Sequence, residues 1–578
     1  MAGEGGMGAA RHSGCRWGVI TVVVGLCLSA AAYEYDSPVY ALAQRVEAAA
    51  RDAHADATSH NHVLLLEDGY EALLLRVHLI RHARRSIDIQ TTILANDECG
   101  HLIVSELFDA ARRGVVVRLM VDYFMSARDS RWIAALTEAH PNLELKYYRP
   151  PAKHAAPPRV LELASVLVRF KGTNQRLHNK LMLFDGLIGI VGGRNIDNHY
   201  YNYSTSYNFL DRDSVVLGPA TKAMAESFED YWFYRRTVES RKLTDVAAVI
   251  RTGEYQRILR SEDFGVEDFR ARMTDGLDAA FIRDRFVTPF QQARRLEYIS
   301  DAPGKNQGKW LWGGGRAARR IRETIRKTDD ELLIQSPYLI LNLSGRRAFR
   351  KLQRQEPPAK VIISTNSFAS TDNMMAYSAN YKMRSLYFER LGFHIFELKP
   401  QPDDFLQLLP NFPELKERAE QDGETREPFV SVHAKSIVVD GRIAYVGSYN
   451  LDPRSQNLNT ENGVLIEDAK IAQTVREAIL SSTQPGRSWV IAKRRFPLSD
   501  VNYLIEGLSG LSPVDLWPLR NTTSYELRPG MEPVDPGDED FYARYDDVGS
   551  FPGAEGVSTK QIVTRIYKML GSLAVPIL

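Results

Sequence analysis

Short apolar runs alternate along this chain with longer stretches of helical length and composition. One set holds Ser86-Ile-Asp-Ile-Gln90, a helical stretch, and then Gly114-Val-Val-Val-Arg-Leu-Met-Val-Asp122. Another holds Glu331-Leu-Leu-Ile-Gln335, a helical stretch from about Gly345, and Lys360-Val-Ile-Ile-Ser364. Apolar runs of this length predict buried strands, and strands alternating with helices predict largely parallel sheet covered by helices. Leu143 to Pro150 and Ile395 to Pro400 each read as a further short strand closed by proline. The chain is therefore written twice. The pattern predicts an α/β fold of two pseudo-twofold-related lobes, each a mixed, largely parallel sheet flanked by helices, with matching edges meeting in one cleft.

The flanking segments break this pattern. Arg11 and Arg16 precede an apolar run from Gly18 to Ala32 that ends in small residues, the order of an export signal. The expected organisation is a signal peptide or membrane anchor over 1–34, a first lobe over 35–241 and a linker or insertion over 242–310. A second lobe over 311–483 and a loop-rich extension over 484–578 complete it. The last segment, 558–575, sets Ile562, Ile566, Met569, Leu570 and Leu573 on one helical face and Lys560, Thr564 and Lys568 on the other, as in an interfacial helix or, alternatively, one docked on the protein's own core.

Bulk composition narrows the chemistry. With 73 Lys and Arg against 72 Asp and Glu the formal net charge is +1, which weighs against nucleic acid as the main partner. The three cysteines, Cys15, Cys27 and Cys99, cannot build a disulfide framework or a zinc cluster.

Two motifs carry the chemistry. Each lobe holds His-x-Lys, four residues, Asp, six residues, and Gly-[Gly/Ser]-x-Asn: His178, Lys180, Asp185, Gly193 and Asn195 in the first, and His433, Lys435, Asp440, Ser448 and Asn450 in the second. The intervening residues are apolar and Asp-Gly is a turn signal, so each motif is expected to be a hairpin with its histidine, lysine and asparagine at one end. Neutral imidazole attacks phosphorus near neutral pH, and lysine and asparagine bind the nonbridging oxygens. One histidine attacks while the other protonates the departing oxygen, so no metal or other cofactor is required. Each ring also needs its far nitrogen oriented. Glu461 in the second half and Asp213 in the first, both at apparent strand heads, are the expected groups. Tyr200, Tyr201, Tyr203 and Tyr207 read as a partly buried loop, with the lining of a lipid or substrate mouth as the alternative.

The two motifs resemble the paired HKD motifs of the phospholipase D superfamily, and within it the chain resembles bacterial C-type cardiolipin synthases. Supporting stretches include His178-Asn-Lys180, Val191-Gly-Gly-Arg-Asn195, Asn450-Leu-Asp-Pro-Arg-Ser455, Asn459-Thr-Glu461 and Thr365-Asn-Ser367. The resemblance covers most of residues 62–480 and the last fifteen or so, but not about 485–555. It implies two phospholipase D-like lobes, a phosphatidyl-histidine intermediate, and catalysis by His178, Lys180, Asp185, Asn195, His433, Lys435, Asp440 and Asn450, with His178 as nucleophile. Gly193 stands where many members carry serine, which implies one hydroxyl contact to phosphate fewer.

The expected activity is phosphatidyl transfer that makes cardiolipin from phosphatidylglycerol and a second phospholipid. Hydrolysis to phosphatidic acid uses the same motifs and is the alternative, followed by an exported nuclease. Expected partners are phospholipids and a membrane surface, with no nucleic acid; some relatives act with a small helper protein. The expected location is exported and membrane-associated, on the periplasmic side of a bacterial inner membrane.

Overall fold

The computed structural model describes residues 36–156, 174–256, 273, 278–305, 314–495 and 520–554. The export-signal segment and the terminal amphipathic helix expected from the sequence lie outside the described residues. Among the described residues no helix is long and apolar enough to cross a membrane.

Two large mixed sheets organise the chain. In the nine-stranded sheet, Ser86–Thr91, Val116–Asp122 and Leu143–Tyr148 run parallel, and Leu181–Phe184 pairs antiparallel with the first of them. In the ten-stranded sheet, Glu331–Gln335, Lys360–Asn366 and Phe393–Leu398 run parallel, and Ser436–Val439 occupies the matching antiparallel place. These are the strands the apolar runs predicted, buried on both faces as a parallel sheet between helices requires. Within 242–310, Gln291–Gln292 joins the edge of the first sheet and Arg295–Ser300 the edge of the second. Beyond residue 484, Ser488–Lys493, Thr522–Leu527 and Tyr545–Gly549 extend the second sheet.

The two halves share one core. Val191, Val216 and Phe228 of the first half pack in a single buried cluster with Val438, Val446 and Val464 of the second. Each such side chain, fully buried, contributes about 1.5–3 kcal/mol. A small parallel sheet, Tyr207–Leu210 against Phe429–Val432, also bridges the halves. Arg212 pins them further: its buried guanidinium bonds Glu67, Gln335 and Ser436. The two carboxyl-end edges, where α/β sheets bind ligands, are thereby held against each other.

Candidate active site

Each motif is a hairpin. Leu181–Phe184 pairs with Ile188–Gly192, and Ser436–Val439 with Ile443–Gly447. Asp185 (φ 53°) and Gly186 (φ 70°) turn the first, and Asp440 (φ 49°) and Gly441 (φ 60°) the second, in the left-handed region that Asp tolerates and Gly prefers. The two aspartates stay at these turns. Asp185 accepts the backbone N–H groups of Arg84, Arg85 and Ser86, and Asp440 those of Asp329, Asp330 and Glu331. The catalytic part implied for them is thus corrected: the strands separate them from the histidine end, and their carboxylates tie each hairpin to the strand beside it.

At the other end the halves interlock. The His178 N–H donates to the Thr460 carbonyl, and the His433 N–H to the Leu210 carbonyl, at 3.1 and 2.9 Å. The residue after each acceptor is a carboxylate. Glu461 Oε2 lies 2.8 Å from His178 Nδ1, and Asp211 Oδ2 lies 2.6 Å from His433 Nδ1. Each ring is therefore oriented by the opposite half. This corrects the expectation for Asp213, whose carboxylate is engaged by the guanidiniums of Arg76 at 2.7 Å and Arg194 at 3.2 Å. Sheet register explains the offset. Gly192 pairs with Asp213 and Gly447 with Gly463, so Asp213 matches Gly463, and Asp211 matches Glu461.

The residue after each motif's first glycine faces these carboxylates. Ser448 Oγ donates to Glu461 Oε2 at 2.5 Å. A Cβ on Gly193 would lie 2.1 Å from Asp211 Oδ1, so only glycine leaves that carboxylate its place. The phosphate contact expected of a serine at this position is accordingly corrected, because the hydroxyl of Ser448 is spent on Glu461 and on the Asn462 N–H.

The lysines and asparagines close the arrangement. Lys180 Nζ donates to Thr92 Oγ1 and to its own motif's His178 carbonyl. Lys435 Nζ lies 2.6 Å from His433 Nδ1. That nitrogen donates to Asp211 when protonated and accepts from Lys435 when not. Asn195 Nδ2 donates to Tyr200 OH at 2.7 Å, and that hydroxyl lies 3.4 Å from His433 Nε2. Tyr200 thus lies against His433, where the sequence favours a partly buried loop over the lining of a substrate mouth. Asn450 Oδ1 is buried with no hydrogen-bond partner among the described residues.

Electrostatics differ between the two rings. Burial, then Lys180 and Lys435, hold His178 far below the usual histidine range, while burial raises Glu461 to about 8. Both members of that pair are pushed towards the neutral form. Burial and Lys435 press His433 down to about 4. Burial acts to raise Asp211, but Lys435 and His433 outweigh it and keep the carboxyl well below the usual carboxylate range. Burial and Lys435 lower Lys180 to about 7, and burial lowers Lys435 to about 8. Among the described residues no cluster of His, Cys, Asp and Glu is arranged to hold a metal ion.

A two-lobed α/β chain with one histidine–lysine motif per lobe is the build of the phospholipase D class. The family model described as "Cardiolipin synthase, PLD-like domain" matches residues 77–232 and 321–481, and the chain belongs to that family. It is an enzyme of the phosphatidyltransferase kind. Among curated proteins, cardiolipin synthase C of Escherichia coli K12 is 27% identical over 441 residues, covering 75% of this chain and 86% of that one. An uncharacterized protein of Helicobacter pylori is 30% identical over 442 residues, covering 76% and 82%. Among solved structures, phosphatidylserine synthase of Haemophilus influenzae Rd KW20 matches with a TM-score of 0.48 and 14% identity, over 73% of this chain and 86% of that one.

Proposed function

We propose that this enzyme makes cardiolipin by transferring a phosphatidyl group from one phospholipid to the glycerol hydroxyl of phosphatidylglycerol, through a phosphatidyl intermediate on His178. His178 Nε2 attacks the donor phosphorus, and the bond from phosphorus to the headgroup oxygen breaks. His433 gives its proton to that oxygen and the headgroup leaves as a free alcohol. His433 then takes the proton of the acceptor hydroxyl, whose oxygen attacks phosphorus, breaks the phosphorus–nitrogen bond and restores His178. Lys180, Lys435, Asn195 and Asn450 bind the nonbridging oxygens, which needs no metal.

The crossed carboxylates are the observation that carries this reading. Two equivalent rings, each fixed through Nδ1 by the other half, leave two Nε2 atoms for one phosphodiester. The division of labour follows from the charges. His178 beside a burial-neutralised Glu461 suits a nucleophile, whereas ionised Asp211 stabilises the imidazolium that His433 must become. The arriving phosphodiester anion acts in the opposite direction to burial and Lys435 and raises His433 towards its acid form.

The test supplies purified protein with phosphatidylglycerol alone and then with phosphatidylethanolamine, and follows products by mass spectrometry. Cardiolipin is expected. Phosphatidic acid as the sole product would replace transfer by hydrolysis, and inertness towards both lipids with cleavage of DNA would replace it by a nuclease.

A further inference from the structure

We propose that the outer face of helices Arg316–Ile325 and Leu343–Leu352 docks this protein onto an anionic phospholipid bilayer, with the histidine-bearing edge turned to the lipid. The two helices hold eight cations and one anion in twenty residues, in a chain whose net charge is only +1. Their buried faces are apolar: Ala317, Ile321 and Ile325 on one, and Ala348, Phe349 and Leu352 on the other. The cations lie outward. Arg316 and Arg319 of the first helix and Arg347, Arg350 and Lys351 of the second are exposed, and Arg316, Arg319 and Arg347 lie in the amino-terminal halves of their helices, nearer the histidine-bearing edge. Among the described residues, Arg320 alone of the first helix's cations forms ion pairs, with Glu297 and Glu323. So dense a single-sign face attracts a surface of opposite sign within a Debye length of about 8–10 Å.

Among the described residues, four of the seven exposed large apolar side chains share one side of the molecule; of the other three, Val116 begins a strand, Phe233 follows helix 220–232 and Met531 lies beyond Leu527. Met125, Leu343, Met375 and Leu406 are 52, 67, 38 and 59% exposed. They follow the carboxyl ends of Val116–Asp122, Glu331–Gln335, Lys360–Asn366 and Phe393–Leu398 respectively, which is the edge that carries the histidines. The basic helices reach the same edge. The Leu339–Leu451 bridge sits beside Asn450 of the second motif, and Asn342 caps the helix that begins at the exposed Leu343. The Gly314 N–H, next to the start of the other helix, donates to Asn457, seven residues beyond Asn450. Apolar side chains that enter the interface beside cations that hold its phosphates are the composition of an interfacial binder. The lipid identity rests on the phosphatidyl-transfer reading; the charge and the apolar rim do not.

The experiment sediments the full chain with phosphatidylcholine vesicles with and without phosphatidylglycerol, at low and high salt. Wild-type protein is expected to partition about tenfold more strongly to the anionic vesicles at low salt. The variant Arg316→Glu/Arg319→Glu/Arg347→Glu/Arg350→Glu loses that preference, and Leu343→Asp/Met375→Asp weakens binding to both vesicle types. The same four positions as glutamine, with intact circular dichroism, serve if the reversal variant fails to fold. An anionic preference that survives these changes overturns the proposal. So does salt-sensitive binding of duplex DNA, abolished by the variant, in a protein without lipid preference. Assay of the wild type in detergent–lipid micelles separates the two readings: absence of phosphatidyl turnover there defeats the proposed reaction, while the vesicle result alone decides the docking face.

Discussion

The Nδ1 atom of His178 lies 2.8 Å from Oε2 of Glu461, a residue 283 positions further along the chain. The mirror contact joins His433 to Asp211, 222 positions earlier. Each half of the molecule therefore presents a ring whose orientation is set by the other.

Asp211→Asn is expected to lower kcat about 10²- to 10⁴-fold while leaving KM and the fold largely intact, because an amide no longer supports the charged His433 ring. Asp213→Asn acts differently. It leaves Arg76 and Arg194 buried without their carboxylate and costs about 3–5 kcal/mol. Steady-state rates set beside thermal melts separate the two; equal rates for Asp211→Asn and wild type would remove Asp211 from the site.

The order of the histidines is readable by trapping. A phosphodiester with a nitrophenolate leaving group needs little proton donation. His433→Ala should therefore still acquire one phosphatidyl group with that donor, detected by intact mass at low pH, whereas His178→Ala should acquire none. The reverse pattern would exchange their roles.

Gly193→Ala puts a methyl group against the Asp211 carboxylate. The carboxylate must shift, and the expected result is a loss of about 1–3 kcal/mol of stability together with a loss of turnover. Ser448→Ala removes only the hydroxyl on Glu461, at about 1 kcal/mol, and should retain most activity. Chemical denaturation and initial rates on both variants check the contrast.

Anion binding should take up protons. Lys180 and Lys435 are held to about 7 and about 8, so below about pH 6 both are already charged, and between about pH 6 and 9 they are progressively not. An anion favours the charged forms, so sulfate affinity falls as pH rises through that window. At pH 8 the binding enthalpy should change with the ionisation enthalpy of the buffer; calorimetry giving the same value in every buffer would contradict the lysine assignment.

Asp440→Ala should destabilise without disarming. It removes the acceptor of three backbone N–H groups and leaves alanine in a left-handed conformation, together about 2–4 kcal/mol. Below the melting transition the rate per folded molecule should stay within about threefold of wild type, unlike His433→Ala. Rates measured at several temperatures against the fraction folded check this.

Much of this was legible because strands and hairpins leave local marks. The apolar runs at Ile87, Val117, Leu332 and Val361 and the Asp-Gly turns after Phe184 and Val439 all lie where spacing puts them. The partners of the histidines were not legible locally. Asp211 and Asp213 flank one arginine at the head of a strand, and only the pairing of Gly192 with Asp213 tells them apart. The crossing of carboxylates between halves left no sequence signal, because it depends on how two sheets dock. The aromatic run of Tyr200, Tyr201, Tyr203 and Tyr207 was visible, but nothing local singled out Tyr200, whose hydroxyl reaches His433.

The exchange of carboxylates has a consequence for how the enzyme comes into being. A nascent polypeptide that ends before residue 461 carries a histidine with nothing to steer it, and a liberated second half carries another. On the proposed reaction, neither fragment holds both steered rings, so both are in place only once the whole chain has closed. The duplicated halves are for the same reason bound to a common fate, since neither can drift from its present geometry without stranding the ring of its twin.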